Sequence, residues 1–144
     1  VAAKFAAPVI IMHNKDSTGY RDLLAEVVGF LRKSIQIAEA DGLPREKLIV
    51  DPGVGFGKTR EDNLRIIDRV GELKALGLPI LLGVSRKSVI GLTLELPVTE
   101  RVEGTAAAVA VGITRGADLI RAHDVKEMTR VARMTDAIIG RPGR

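Results

Sequence analysis

Short apolar runs alternate four times with longer amphipathic stretches, and this alternation is the feature of the chain that most constrains its fold. In each run the apolar residues stand next to one another instead of alternating with polar ones, which is typical of parallel strands buried on both faces. They predict strands at residues 8–13, 47–51, 79–85 and 117–123. The pattern therefore predicts an α/β fold of four consecutive βα units.

The amphipathic stretches predict four helices with recognisable start and stop signals. The predicted helices run from Tyr20 to Gly42, from Thr59 to Gly77, from about Thr99 to Arg115, and from Asp124 onward. Thr59 and Asp62 have the spacing of a capping box. The side chains expected to face the core are Leu24, Val27 or Val28, Leu31 and Ile35, then Leu64, Ile67, Val70 and Leu73, then Val102, Ala106, Val109 and Ile113, and finally Met128, Val131 and Thr135.

Four βα units fit either a small doubly wound sheet or half of a (β/α)8 barrel, whose full length is about 250 residues. With 144 residues, the chain is long enough for one domain and too short for two. We expect one domain over residues 1–139 and a frayed tail at 140–144. The chain does not begin with Met, and we expect it to be a piece of a longer protein.

The composition excludes several classes of function. The chain has no cysteine, which excludes disulfides and thiol nucleophiles and suits a reducing cytoplasm. Its net charge is +4, but Lys and Arg are scattered along the predicted helices and are not grouped with stacking aromatic residues. No apolar run approaches the roughly 20 residues of a membrane span. We expect a cytoplasmic protein with no nucleic-acid partner and no membrane partner.

All four predicted strands end in polar or glycine-rich residues. In both candidate architectures the ligand site lies beyond the carboxyl ends of the strands. These ends comprise residues 12–14, 51–58, 83–88 and 121–124. We therefore expect a polar ring around one mouth of the molecule.

Asp51 follows a Leu-Ile-Val run, so its carboxylate stands at the rim of a buried sheet, where it needs hydrogen-bond donors. A ligand with adjacent N–H groups would supply them. The alternative is that Asp51 caps the following loop through backbone amides. Gly53, Gly55 and Gly57 allow this loop to approach a flat ligand or to adopt positive φ, with Phe56 held between them.

Two nucleotide-binding motifs resemble this loop and are excluded. A Walker A loop requires glycine where Pro52 stands, and a dinucleotide fingerprint requires a small residue at Lys58. Nothing resembles a serine or cysteine triad, and two histidines without neighbouring carboxylate ligands argue against a zinc site. We therefore assign no metal ligand to this chain.

Two other strand ends carry cationic groups. Residues 85–88, with the sequence SRKS, leave a strand and enter a short helix, which favours anion binding, although a basic surface turn is an equal alternative. Arg121 and His123 are two residues apart and point the same way along the last strand, an arrangement that suits phosphate or pyrophosphate. A single histidine at a strand end more often has a structural role. Because Asp51 and Lys87 are predicted at neighbouring strand ends, a polar ring around the mouth is the better explanation for His123.

Three motifs, DPGVGFGKT at 51–59, GVSRKS at 83–88 and RAHD at 121–124, together resemble the last half of the dihydropteroate synthase family. The opening PVIIMH strand at 8–13 also matches, so the resemblance spans essentially the whole chain. It implies a (β/α)8 TIM barrel of which this chain covers about the last four βα units.

The resemblance also implies a reaction. In it, p-aminobenzoate condenses with 6-hydroxymethyl-7,8-dihydropterin pyrophosphate and releases pyrophosphate, with Mg²⁺ assistance, in folate biosynthesis. Asp51 would hydrogen-bond the pterin amino and ring N–H groups, and Lys87 would contact its carbonyl and ring nitrogen. Arg121 would flank the ring and hold the pyrophosphate, and His123 would bind its oxygens. Lys87, Arg121 and His123 would thus be the catalytic residues.

Other residues would complete the substrate site by the same resemblance. Met12, Phe56 and Gly83 would line the pterin pocket, and Gly55 would be a further substrate-binding residue. Ser88 would meet the p-aminobenzoate carboxylate at its helix end. The Mg²⁺ ligands are expected mainly from the absent N-terminal half and from the substrate pyrophosphate. The family also implies pairing into a homodimer through outer helices.

This chain departs from the family pattern in two places. The family's first four strands, with their metal-binding asparagine and mobile loops, precede anything in this sequence, so we expect the chain alone to be inactive. The loop at 14–17 also differs from the common family loop.

Two alternatives stay open. One is a methyltransferase that passes a methyl group from methyltetrahydrofolate to a corrinoid protein, which shares the barrel and the pterin-contacting Asp but not the SRK and RAHD motifs. The other is a non-catalytic half-barrel that acts as an interaction module. A half-barrel leaves two strand edges and an apolar inner face uncovered, so we expect the isolated chain to self-associate or to be poorly soluble.

Overall fold

The computed structural model describes residues 1–5 and 7–141, in which strands and helices alternate as predicted. The strands are β1 (Val9–Met12), β2 (Leu48–Asp51), β3 (Leu81–Leu82) and β4 (Leu119–Ile120). The α-helices are α1 (Leu23–Ala40), α2 (Arg60–Asp68), α3 (Ser88–Leu94), α4 (Val102–Thr114) and α5 (Val125–Ile138). Short 3₁₀ segments span Ala3–Phe5, Arg45–Lys47, Val70–Leu76 and Val98–Glu100.

The strands are parallel and follow one another in chain order. β1 pairs with β2 so that Met12 stands opposite Asp51, and β3 pairs with β4. A parallel bridge between Val50 and Ile80 joins the two pairs. β1 and β4 are therefore the edges, and all carboxyl ends open on the same side.

The core lies between these strands and the helices that cover them. Most side chains predicted to face inward are buried, including Leu31 of α1 and Ile113 of α4. The prediction for Leu64 was wrong, since its side chain is 43% exposed whereas its neighbour Ile66 is fully buried. Leu64 instead lines an apolar groove between α2, α3 and α4, so the buried face of α2 is rotated relative to the predicted one.

The last two strands are shorter than predicted. β3 and β4 have two residues each, where the apolar runs predicted seven. The backbone amide of His123 donates to the Ser85 hydroxyl at 3.1 Å, so a side chain replaces a ladder bond at this point. The pairing therefore ends where the polar strand ends begin.

The first helix begins later than predicted. α1 starts at Leu23, because the Asp22 carboxylate accepts a hydrogen bond from the amide of Ala25 at 3.1 Å and caps the helix there. The chain from Tyr20 to Asp22 belongs to the preceding loop. The Tyr20 hydroxyl donates to the Gly57 carbonyl at 2.7 Å, which ties that loop to the one after β2.

The second predicted helix is divided. Its capping box between Thr59 and Asp62 is confirmed, but α2 ends at Asp68 and continues as the 3₁₀ segment up to Gly77. Arg69 has φ −108° and ψ 18°, outside the helical range. Gly71 approaches the Arg115 carbonyl so closely that a Cβ would lie 2.3 Å from its oxygen. Packing against the end of α4 therefore accompanies the change of helix type.

The third and fourth predicted helices are confirmed as α4 and α5, and α3 is the short helix expected after SRKS. Asp124 precedes α5 as predicted, although its carboxylate binds Arg86 and not the helix amides. Within the predicted tail at 140–144, the Arg141 amide donates a hydrogen bond to the Asp136 carbonyl at 2.9 Å. Residues 142–144 lie outside the described part of the chain. In residues 1–5 and 7–141, no helix combines the length and apolar character of a membrane span.

Candidate functional site

The polar strand ends gather at one mouth, as predicted. Arg121 follows β4 and its Nη2 lies 3.5 Å from Asp51 Oδ2 at the end of β2. Met12, opposite Asp51 in the β1–β2 register, lies on the same face of the sheet. A cavity of about 140 Å³ beside them is lined by Gly83, Ser85, Lys87, Arg121, Ala122 and His123. The structure thus brings the three predicted catalytic side chains together with the acidic one.

Asp51 is a buried carboxylate with two different environments. It is 1% exposed, and its Oδ1 accepts a hydrogen bond from the Gly53 amide at 2.7 Å, as the alternative of a loop cap predicted. Its Oδ2 faces Arg121. Burial raises the pKa of Asp51, while the Gly53 hydrogen bond and the charges of Arg121 and Lys87 oppose that rise. One oxygen of Asp51 is therefore bound to the loop that follows β2, and the other faces the cation of Arg121.

Lys87 reaches the glycine loop (residues 52–57), which follows β2. Its Nζ donates to the Val54 carbonyl and lies 4.7 Å from the centre of the Phe56 ring, a cation–π contact. Burial lowers the pKa of Lys87, and the charge of Asp51 counteracts this. A Cβ on Gly55 would lie 3.2 Å from Lys87 Cδ, so the missing side chain gives the lysine room.

Gly83 serves Arg121 in the same way. A Cβ at position 83 would lie 3.0 Å from Arg121 Nη2 and 3.3 Å from Nε. The guanidinium therefore packs over the bare backbone of the β3 end. Its side chain is 55% exposed, so the positive charge is available at the surface of the mouth.

His123 is oriented by Ser85. The Ser85 hydroxyl accepts from the His123 backbone amide and lies 3.0 Å from the ring Nδ1. Both residues line the cavity. Contacts at the amide and at one ring nitrogen fix the direction of the imidazole at the β4 end.

Arg86 is structural in this arrangement. Its Nε donates to Asp124 Oδ2 at 2.9 Å, and its amide donates to the Thr105 hydroxyl at 3.1 Å. Its backbone has φ 56°, and Arg101 Nη1 donates to its carbonyl at 2.9 Å. The hydrogen bond from Arg86 holds the pKa of Asp124 below its usual range. The predicted convergence of SRKS cations on one anion therefore reduces to Lys87.

Ser88 is not brought into the cluster. It is the exposed first residue of α3 and does not line the cavity with Lys87. Phe56 is 38% exposed and contacts the cluster through Lys87. The mouth therefore has an open side next to these two residues.

Sequence reasoning missed a buried pair beside Asp51. Lys58 Nζ lies 2.9 Å from His13 Nδ1, and both residues are buried. Burial, reinforced by the Lys58 charge, lowers the pKa of His13 to about 4, and burial lowers the pKa of Lys58 to about 8. The sequence did contain a signal for this pair, because both residues belong to the polar segments that follow strands. His13 comes directly after β1, and Lys58 comes at the end of the glycine loop after β2.

Comparisons with known proteins agree with this architecture. A model of the family described as pterin binding enzyme matches residues 1–123. The dihydropteroate synthase of Clostridium beijerinckii is 50% identical over 142 residues, covering 98% of this chain and 53% of that protein. The chain thus spans about half the length of the curated relatives it matches.

Solved structures show the same likeness. A Clostridium difficile dihydropteroate synthase, determined in the presence of pteroic acid, superposes with a TM-score of 0.93 at 49% identity, over 95% of this chain and 52% of the other. The Xanthomonas albilineans enzyme with 4-aminobenzoic acid gives 0.92 at 38% identity, over 98% and 54%. These enzymes are TIM barrels, so the four βα units form about half of a (β/α)8 barrel. The chain belongs to the family of pterin binding enzymes.

Proposed function

We propose that the protein is a dihydropteroate synthase, and that this chain supplies the pterin and pyrophosphate side of its active site. The reaction joins p-aminobenzoate to 6-hydroxymethyl-7,8-dihydropterin pyrophosphate. The observation that carries the proposal is the meeting of buried Asp51 with Lys87, Arg121 and His123 at the carboxyl ends of three strands. The similarity to synthases over nearly the whole chain supports it.

Asp51 and Lys87 suit the edge of a pterin. A buried carboxylate gains most from a ligand that presents adjacent N–H donors, as the pterin amino group and ring N–H do. Lys87 can donate to the pterin carbonyl and ring nitrogen from the other side. Met12, Gly55, Phe56 and Gly83 would complete the pocket around the ring.

Arg121 and His123 suit the leaving group. The p-aminobenzoate nitrogen forms a C–N bond to the pterin methylene, the C–O bond to pyrophosphate breaks, and its electron pair leaves with the pyrophosphate. The amine then loses a proton to solvent. Positive charge from Arg121 and hydrogen bonding from His123 stabilise the developing anion, and no covalent enzyme intermediate is needed.

Further features belong to this proposal. Ser88, on the open side of the mouth, would receive the p-aminobenzoate carboxylate. By analogy with the family, the protein would form a homodimer and would be cytoplasmic. Mg²⁺ would assist, but no group of three or more potential ligand side chains occurs within the described residues, so we derive no step through it. Its ligands would come from elsewhere in the full-length protein and from the substrate.

The test measures pyrophosphate release by the full-length gene product. Release that depends on p-aminobenzoate is the expected result. Asp51→Asn should lower kcat/KM for the pterin substrate by at least about tenfold, because a hydrogen bond to a charged group contributes roughly 1.5–3 kcal/mol. Asp41→Asn, at the exposed end of α1, is the matched control and should have no effect.

The pH dependence of pterin binding is a second test of the role of Asp51. Burial raises the pKa of Asp51, so pterin affinity should fall on acidification at a higher pH than an ordinary carboxyl group would give. Asp51→Asn should lack this dependence. Methyl transfer from methyltetrahydrofolate to cobalamin would overturn the proposal in favour of a methyltransferase. Absence of turnover and of pterin binding would favour a non-catalytic module.

A further inference from the structure

Lys58 is a buried lysine whose ammonium is held by uncharged groups. The residue is 9% exposed. Its Nζ donates to the carbonyls of Gly53 and Phe56, each at 3.0 Å, and lies 2.9 Å from His13 Nδ1. The pKa of His13, about 4, keeps that ring neutral near pH 7. Burial of the ammonium costs free energy that the charge of nearby Asp51 only partly offsets, since the pKa of Lys58 is still lowered to about 8, so its presence calls for a reason.

The three contacts of Lys58 close the glycine loop and fasten it to β1. Gly53 and Phe56 stand near the two ends of the loop, and one ammonium binds both carbonyls. The contact with His13 crosses to the end of the neighbouring strand. Gly53 has φ 71°, and a Cβ there would lie 1.8 Å from the His13 carbonyl oxygen. The loop is thus pressed against β1 in a conformation that needs glycine.

The same loop supplies the partners of Asp51 and Lys87. The Gly53 amide caps Asp51, the Val54 carbonyl accepts from Lys87, and the Phe56 ring lies under the Lys87 ammonium. Each of these contacts depends on the loop conformation that Lys58 closes. The charge of Lys58 also favours the ionised form of Asp51, together with the charges of Arg121 and Lys87.

We propose that Lys58 is a positioning residue of the pterin pocket: it fixes the glycine loop that aims Asp51 and Lys87 at the heterocycle, without touching the substrate. The inference rests on the proposed function and deepens it. In this proposal, the free-energy cost of burying the Lys58 cation is offset by the preorganisation of the pterin site.

The test compares Lys58→Met with Lys33→Met in the full-length gene product. Met keeps a long unbranched chain but removes the charge and the donors. Lys33 is an exposed lysine of α1 and provides the matched control. We expect Lys58→Met to raise KM for the dihydropterin pyrophosphate by at least about tenfold and to leave KM for p-aminobenzoate within about twofold. Lys33→Met should change neither value.

A further readout separates positioning from bulk stability. Without the Lys58 charge, the acidic limb of the pH profile should move to higher pH, because Asp51 becomes easier to protonate. A merely structural lysine would lower the melting temperature and leave the ratio of the two KM values unchanged. In folded Lys58→Met, unchanged KM values, or an equal rise in both, would overturn the proposal.

Lys58→Arg covers the case in which Lys58→Met does not fold. Arg keeps the charge, but its planar fork cannot match three acceptors arranged around an ammonium, so the pterin KM should lie above that of the wild type. An unselective effect of Lys58→Arg on both substrates would then count against the role.

Binding of 6-hydroxymethyl-7,8-dihydropterin, followed by fluorescence titration, distinguishes the two levels of inference. If the wild type neither binds this pterin nor turns over, the proposed function fails. If the wild type binds it and folded Lys58→Met binds it equally well, the positioning role fails alone.

Discussion

At the scale of single residues, the site depends on two glycines, whose lack of a side chain leaves room for charged neighbours. Gly83 and Gly55 each leave the space that a cationic neighbour occupies, Arg121 in one case and Lys87 in the other. Because the two cations flank Asp51, the glycines indirectly set the charge pattern of the mouth. A methyl group at either place would move a charge.

Gly83→Ala tests this spacing. Gly83 does not need positive φ, so the backbone accepts alanine, but its Cβ would press on the Arg121 guanidinium at 3.0 Å. We expect pyrophosphate binding to weaken by about 1 kcal/mol, roughly fivefold in Kd, with folding retained. Isothermal titration calorimetry with pyrophosphate measures the Kd of the wild type and of the variant. Gly29→Ala, on α1 with no atom within 4 Å, is the control, and equal affinities in both variants would contradict the prediction.

At the scale of elements, each loop at the mouth is fixed where it enters the next helix. Thr59 and Asp62 form a reciprocal cap at the start of α2, directly after Lys58. The Thr59 hydroxyl accepts from the Asp62 amide, and an Asp62 carboxylate oxygen accepts from the Thr59 amide, both at 3.1 Å. The helix start thus anchors one end of the glycine loop.

Thr59→Ala should therefore destabilise the protein by about 1 kcal/mol, because it leaves the Asp62 amide in the first turn of α2 without its acceptor. Urea denaturation of the full-length gene product measures the change. Thr18→Ala, in the exposed loop before α1, should stay within roughly 0.5 kcal/mol of the wild type. The capping role is refuted if the two substitutions have the same effect.

At the scale of the whole molecule, the two edge strands present apolar groups to solvent. Ile10 of β1 is 45% exposed and Leu119 of β4 is 38% exposed. Val125, at the start of α5 beside β4, is 65% exposed. In a closed (β/α)8 barrel both edges are paired, so these surfaces have the character of interfaces.

We accordingly expect the 144-residue chain on its own to self-associate or to precipitate. Sedimentation velocity at several concentrations measures this. Ile10→Lys places a charge on the open edge and should shift the chain toward monomer, whereas Lys33→Met, on the outside of α1, should not. A compact monomer at all concentrations would show that the half-barrel closes its own edges.

Much of the fold could be predicted from local patterns. The alternation of elements, the parallel strands and the Thr59 cap each depend on residues close together in sequence. Errors arose where packing between distant segments decided the outcome, as for exposed Leu64 and for the 3₁₀ segment that begins near Gly71. For the site, the local sequence located the strand ends but not the depth of Lys58 or the distance of Ser88 from the cavity.

The sequence by itself determined that polar or glycine-rich residues follow all four strands, because such residues come directly after each apolar run. Only the tertiary structure decided which partner each charge takes. Arg86 pairs with Asp124 across 38 residues, and Arg121 meets Asp51 across 70 residues. Partners so far apart in sequence are chosen by the geometry of the assembled barrel mouth, which no local pattern contains.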